Sequence, residues 1–285
     1  MSNLSKEAVD PAESGLSTKH FQAIKTVLYD SAGIRLADHK RLMVENRVAK
    51  RLRDLSLTSY ADYIDYLQSS GKEDELVHLV NVLTTNVTHF FREGHHFDHM
   101  STTLERWVTQ GTGRIRVWSA GCSLGAEPYS AALTILKVKE KTKRNINARI
   151  LATDIDTLTL ARARKAEFKE SNLKGLSKGQ LDYAFQKAER EGAAMYKLKD
   201  SIRSMVAFNY LNLNARKWPM SGPFEFIFCR NVLIYFDRTK QNEIVSRLLS
   251  YLKPGGFFYL GHSEHAVMEG RGLKSCGKTI YQKMT

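Results

Sequence analysis

The sequence is short of cysteine, contains no long apolar run and has no internal repeat. Three cysteines, Cys122, Cys229 and Cys276, stand far apart without a Cys-x-x-Cys pair. That argues against a disulfide framework or a zinc ribbon and fits a reducing cytosol. No stretch approaches the run of about 20 apolar residues that a membrane-crossing helix needs. The start, Met1 to Leu16, is polar and mixed in charge, without the apolar centre of a secretory signal. The expectation is a cytoplasmic protein. Low-complexity tracts, zinc-finger spacing and the interleaved aromatic and basic residues of single-strand binders are all missing.

What is there is a chain of 285 residues, 42% hydrophobic and 10% aromatic, enough for two domains with a substantial core. Its net charge of +13 is unevenly placed. Residues 1–85 hold 11 Lys+Arg against 12 Asp+Glu, leaving 32 against 18 for the remainder. Anionic partners are expected, and nucleic acid is the first suggestion of such a balance. A basic surface that only keeps the protein in solution explains it equally well.

Residues 1–16 read as a flexible tail. From Ser17 the spacing predicts a helix with Phe21, Ile24, Val27 and Leu28 on one face and Gly33 as its stop. A second helix is predicted over Asp38–Leu55, a third through Tyr63, Ile64 and Leu67 to about Gly71, and a fourth carrying Leu76, Leu79, Val80 and Leu83. This gives a helical domain over 17–90, a connecting helix over 91–110 and a second domain over 111–285. In the second domain, strands at Arg114–Ala120, Arg149–Thr153, Glu225–Cys229 and Phe257–Leu260 alternate with helices at Asp156–Lys165 and Arg238–Leu252. Lys278–Lys283 reads as a last strand. Such alternation indicates an open, mainly parallel α/β sheet. Between 168 and 206 it is interrupted by a helix (Lys178–Gln186) and short strand-like runs at Met195–Leu198 and Met205–Phe208, read as an inserted β-subdomain.

Chemistry is expected where the first strand opens into Gly121-Cys122-Ser123-Leu124-Gly125-Ala126-Glu127. Its glycines let backbone approach a ligand, but the Lys-Ser/Thr of a nucleoside-triphosphate loop is missing. The second strand ends at Asp154, where a carboxylate can accept from both hydroxyls of a ribose; a helix cap is the plainer role, for which Asp156 competes. Together they favour a nucleoside ligand without phosphate chemistry.

Thr84–Glu93, Gly121–Ser130, Asp154, Asn212-Leu213, Phe228–Phe236, Leu252–Gly256 and Gly261–Glu264, with Ala37–Arg41 in the helical domain, closely resemble the bacterial chemotaxis receptor methyltransferases (CheR). The resemblance implies a class I S-adenosylmethionine-dependent methyltransferase fold that esterifies glutamate side chains of chemoreceptors and releases S-adenosylhomocysteine. By motif it places Asn86, Thr88, Arg92, Gly121, Glu127, Asp154, Asn212, Leu213, Arg230 and Asn231 around the cofactor. Arg92 and Tyr235 resemble the pair beside the transferred methyl. Arg230-Asn231 stands where amino-methylating enzymes commonly carry Asn/Asp-Pro-Pro-aromatic, which disfavours a nucleic-acid methyltransferase. A non-catalytic adaptor is disfavoured because every cofactor position is chemically suitable.

His95, His96 and His99 offer zinc-like spacing but no His-Glu-x-x-His base, so no metal is expected. On the second helix Lys40, Arg47 and Arg51 fall within about 40° of one another, and Arg35–Arg53 holds seven basic and two acidic residues. This stripe is the expected contact for glutamate-rich cytoplasmic receptor helices. The resemblance suggests a second contact, a receptor C-terminal peptide on the inserted subdomain, although Lys187–Gly192 lacks a Gly-x-Gly turn. A monomer is expected.

Overall fold

Polar capping and apolar spacing build the first unit helix by helix. The structure, a computed structural model, describes residues 15–69, 73–190, 193–264 and 271–284. It divides into compact units at Thr85/Asn86, so the helical domain ends earlier than residue 90. The tail up to residue 14, the end of the third helix at Gly71, and Glu191 and Gly192 lie outside the described residues. Helix α1 (Thr18–Ala32) starts where Ser17 Oγ accepts the His20 N–H at 3.1 Å. It stops at Gly33, whose φ of 71° is the left-handed turn that glycine adopts without strain. Helix α2 (Arg41–Asp54) buries Val44, Val48, Ala49 and Leu52. Helices α3 (Tyr60–Gln68) and α4 (Glu73–Leu83) complete the unit.

One buried position in α4 is not apolar. Glu75, 4% exposed, takes the place expected of Leu76, which is half-buried. Its carboxylate accepts the Tyr63 hydroxyl at 2.8 Å and the Arg51 guanidinium at 3.0 and 2.5 Å. Arg47 Nη1 donates to the Val82 and Thr84 carbonyls at 2.6 and 2.9 Å, satisfying the open end of α4. The expected stripe is corrected accordingly: Arg47 and Arg51 tie α2 to α4. Among the described residues, the basic side chains that α2 leaves exposed without such ties are Lys50 and Arg53.

The second unit begins with α5 (His95–Thr109), then β1 (Arg114–Ala120), α6 (Ala126–Thr142), β2 (Asn147–Asp154) and α7 (Thr157–Lys165). Next come β3 (Glu167–Lys169), α8 (Lys178–Ala184), β4 (Phe185–Arg190), β5 (Ala193–Leu198), α9 (Asp200–Arg203) and β6 (Val206–Tyr210). The chain closes with β7 (Phe224–Cys229), α10 (Arg238–Tyr251), β8 (Leu252–Leu260), β9 (Lys274–Gly277) and β10 (Ile280–Gln282). The main sheet runs β6-β2-β1-β7-β8-β10-β9, parallel through β8 and antiparallel beyond. Strand β7 is buried at every position, the mark of a central strand covered on both faces.

Three expectations change here. Helix α5 is not a connector: Phe97, Met100, Leu104 and Val108 enter the main core with residues of α6. Met205–Phe208 is not part of the insertion, because β6 pairs in parallel with β2 as the sheet edge. The insertion is a separate sheet, β3-β5-β4, in which residues 185–190, partly read as helix, form a strand. Phe185 decides that: its ring packs edge-on against Phe90 and Phe168, at centroid distances of 5.6 and 6.1 Å.

Candidate active site

The parallel strands end along one edge, and strand order reverses between β1 and β7. In open α/β sheets such a reversal opens a crevice for ligands. Its floor is the β1–α6 turn. Gly121 has φ +84°, and a Cβ there would collide with the Val232 side chain beyond β7. Gly125, at φ +87°, would be strained by any side chain, and a Cβ there would stand only 3.1–3.2 Å from Tyr129, Ala163 and Phe208. Both glycines are therefore required by geometry.

Asp154 closes β2 and holds this turn. Its Oδ2 accepts the Ser123 N–H at 2.8 Å and its Oδ1 the Asp156 N–H at 3.0 Å. Burial pushes its pKa up, against the pull of those N–H groups. Each oxygen has a further lone pair to offer. Asn86 joins by donating to Asp156 Oδ2 at 2.7 Å, and Ser123 Oγ reaches Asn86 Oδ1 at 3.4 Å. Asp156 is meanwhile the cap of α7, accepting the Thr159 N–H at 2.8 Å. The cap role that the sequence left open thus falls to Asp156.

Across the crevice lies a buried charge chain. Glu127 takes Ser119 Oγ on one oxygen at 2.7 Å and Arg230 Nη1 on the other at 3.1 Å. The Arg230 side chain is 2% exposed and also meets Glu93 Oε2 at 3.5 Å and the Arg92 carbonyl. Burial raises the Glu127 pKa, and Arg230 opposes the shift. Two carboxylates around one guanidinium leave the site net negative, which suits a cationic ligand.

Asn212 and Leu213 follow β6 beside the end of β2, where the Leu211 N–H meets the Asp154 carbonyl at 2.9 Å. Asn212 Oδ1 accepts the Asn214 N–H at 2.9 Å, and the Leu213 side chain is buried in the core. Asn231 adopts φ 58°, and its N–H donates to Glu264 at 2.8 Å. Glu264 also accepts from Val232, Leu233 and Gly261, at 2.9, 2.7 and 2.8 Å. That carboxylate fixes the segment carrying Asn231 and Tyr235. Arg92 donates to the Val87 carbonyl at 3.2 Å and lowers the Tyr235 pKa, which burial raises more strongly. Thr88 is half-buried between Asn86 and Arg92.

The structure thus brings Asn86 and Asp154 into one network through Ser123 and Asp156, Glu127 and Arg230 into a second, and Arg92 within electrostatic reach of Tyr235. Lys40, Arg47 and Arg51 belong to the other unit. Sequence reasoning missed Glu93, Ser119 and Glu264 as working parts. Glu93 and Glu264 lay inside the quoted motifs, but nothing in a linear motif shows which backbone a carboxylate will bind.

Glu93, His95 and His96 bring ligand atoms within 4.8 Å of one another. Arg230 already supplies the positive charge that Glu93 faces, and burial with Arg230 drives His96 down to about 2. No metal role is assigned to them.

The donor set fits S-adenosylmethionine. Asp154 offers acceptors of the kind a ribose diol needs, and Glu127 and Glu93 around Arg230 offer the negative charge that suits a sulfonium. Fold and site define a class I S-adenosylmethionine-dependent methyltransferase. Residues 19–84 match the CheR methyltransferase all-alpha domain and residues 86–281 the CheR methyltransferase SAM-binding domain. The chain belongs to the CheR methyltransferase family. It is 40% identical over 266 residues to the chemotaxis protein methyltransferase of Escherichia coli (strain K12), spanning 93% of this chain and 91% of that protein. The Salmonella typhimurium protein of the same name is 39% identical, spanning 93% and 90%. A probable chemotaxis protein methyltransferase of Rhizobium etli is 37% identical, spanning 91% and 97%. Among the described residues no helix is long and apolar enough to cross a membrane.

Proposed function

We propose that the chain methylates glutamate side-chain carboxylates on the cytoplasmic helices of chemoreceptors, giving γ-glutamyl methyl esters. The observation that carries this reading is the 40% identity, across 93% of the chain, to a chemotaxis protein methyltransferase. S-adenosylmethionine, when bound, supplies an electrophilic methyl group on a sulfonium sulfur. The acceptor needs no activation, since a glutamate (reference pKa about 4.3) is ionised and nucleophilic at neutral pH. The protein's task is alignment and exclusion of water. Asp154 would hold the ribose, Glu127 with Arg230 the methionine end, and Asn212 and Leu213 the adenine surroundings. Arg92 orients a carboxylate, and Tyr235, kept protonated by burial, donates a hydrogen bond beside the methyl. No general base takes part.

Receptor helices would be drawn to α2 by its exposed bases, chiefly Lys50 and Arg53, with half-buried Lys40 just ahead of it. The β3-β5-β4 subdomain would make the second contact. The test incubates the full chain with methyl-labelled cofactor and a receptor cytoplasmic fragment, then treats the product with alkali. An ester releases labelled methanol. Label that survives alkali as N-methyl overturns the carboxylate assignment.

A further inference from the structure

At the opposite edge of the sheet from the crevice, strand register collects charge on one face. Arg114 pairs with Asn147 and Arg116 with Arg149 across β1 and β2. Alternation along each strand puts all four side chains on the same face, continuing the row that begins with Trp118 and Leu151. They line a cleft of about 250 Å³.

This part of the face lacks the usual cover. Residues 211–223, the link from β6 to β7, hold no helix. They pack Leu211, Leu213 and Trp218 over Trp118, while Arg114, Asn147 and Arg149 stay exposed. Ala207 and Asn209 of β6, on the same face, are exposed. Arg116 is held: its Nη2 donates to the Ser221 carbonyl at 2.7 Å, and its guanidinium lies 4.7 Å from the Phe224 ring centroid. The Arg114 and Arg149 side chains have no ion-pair or hydrogen-bond partner among the described residues. The nearby carboxylate, Glu225, is spent on the Arg116 N–H at 2.8 Å and on Lys253 at 3.2 Å.

We propose that the face formed by Arg114, Arg116, Asn147 and Arg149 is a docking site for an extended acidic segment of a partner protein. Guanidinium forks match carboxylates two bonds at a time. Arginines at alternate strand positions repeat at about 6.6 Å, the repeat of every second side chain in an extended peptide. Nucleic acid is the poorer fit, because the Phe224 ring is covered by Arg116 and Trp118 is buried under Trp218, so neither offers a stacking platform. Lying at the far ends of the strands, the site can be filled while the methyl-transfer crevice stays open. A partner held there would remain attached through turnover.

The test titrates the full chain with a fluorescein-labelled (Glu-Ala)₅ peptide by anisotropy at low salt. Arg114→Glu with Arg149→Glu is compared with Lys137→Glu with Lys139→Glu, an equal charge change at exposed positions of α6. The expected result is at least a tenfold loss for the arginine pair and less than twofold for the lysine pair. S-adenosylmethionine affinity by calorimetry should be unchanged in both. Arg114→Gln with Arg149→Gln, a milder change, should give the same ranking. Equal losses in the two pairs would mean net charge alone and overturn the site. So would loss of cofactor affinity, or tighter binding of a ten-nucleotide oligothymidylate than of the peptide at the same two arginines.

Discussion

Asp154 and His96 show how one side chain's surroundings decide its use. Asp154 is half-buried, with two N–H partners in and beside the β1–α6 turn and further lone pairs to offer. Asp154→Ala is expected to weaken S-adenosylmethionine binding by about 1.5–3 kcal/mol, the range for hydrogen bonds to a charged group. Calorimetry on wild type and variant measures it; equal affinity would remove Asp154 from the site. His96 is fully buried, with Nε2 3.0 Å from Thr279 Oγ1, and stays neutral because burial and then Arg230 lower its pKa to about 2. The unfolded chain takes up that proton below about pH 6.5 and the folded one does not, so stability falls as pH drops from there. The unfolding free-energy advantage of wild type over His96→Gln should shrink by roughly 1 kcal/mol between pH 7 and 5.5. Urea titrations at both values check it, and a pH-independent difference would count against a neutral His96.

At the level of elements, much was legible in the sequence, and what was not has a common cause. The central strands announced themselves as short, largely apolar runs bounded by turn residues, as in Glu225–Cys229, whereas the polar edge strand Lys274–Gly277 did not. Gly33 and Ser17 marked their helix ends through local chemistry. Where reading failed, the deciding partner was distant in sequence: Phe90 and Phe168 turn residues 185–190 into a strand, and β2 recruits Val206–Tyr210. Glu264 is the sharpest case. Its identity says acceptor, but only the fold places four backbone N–H groups from Gly261, Asn231, Val232 and Leu233 around it. Glu264→Ala should cost on the order of 4 kcal/mol, since several buried donors lose their partner together. Glu264→Gln should recover little of it, because its amide would set N–H against N–H. Denaturant midpoints compare the two, and a loss under 1 kcal/mol in the alanine variant would contradict the bracket.

For the whole molecule the division of charge matters most. A helical unit close to neutrality carries Arg41, Lys50 and Arg53 exposed on α2, while the excess of the second unit includes a sheet face of its own. Because Arg51 is tied to Glu75 and Arg47 to α4, reversing those two would test stability along with docking. Lys50→Glu with Arg53→Glu is the cleaner probe. It should reduce receptor methylation at low ionic strength, leave cofactor affinity intact and resemble wild type in high salt, since exposed charges are screened. Undiminished methylation at low salt would exclude α2 as the docking element. The three cysteines, finally, give the molecule a built-in gauge. Cys122 and Cys229 are sealed within the sheet and its first turn, their thiols pushed far up by burial, while Cys276 on β9 is half-exposed. A maleimide should therefore react with one equivalent at once and with two more only as often as the sheet opens. S-adenosylmethionine, by favouring the closed form, should slow that second phase in proportion to its occupancy. Cofactor affinity could then be read from a clock of two hidden thiols, with no methyl acceptor present.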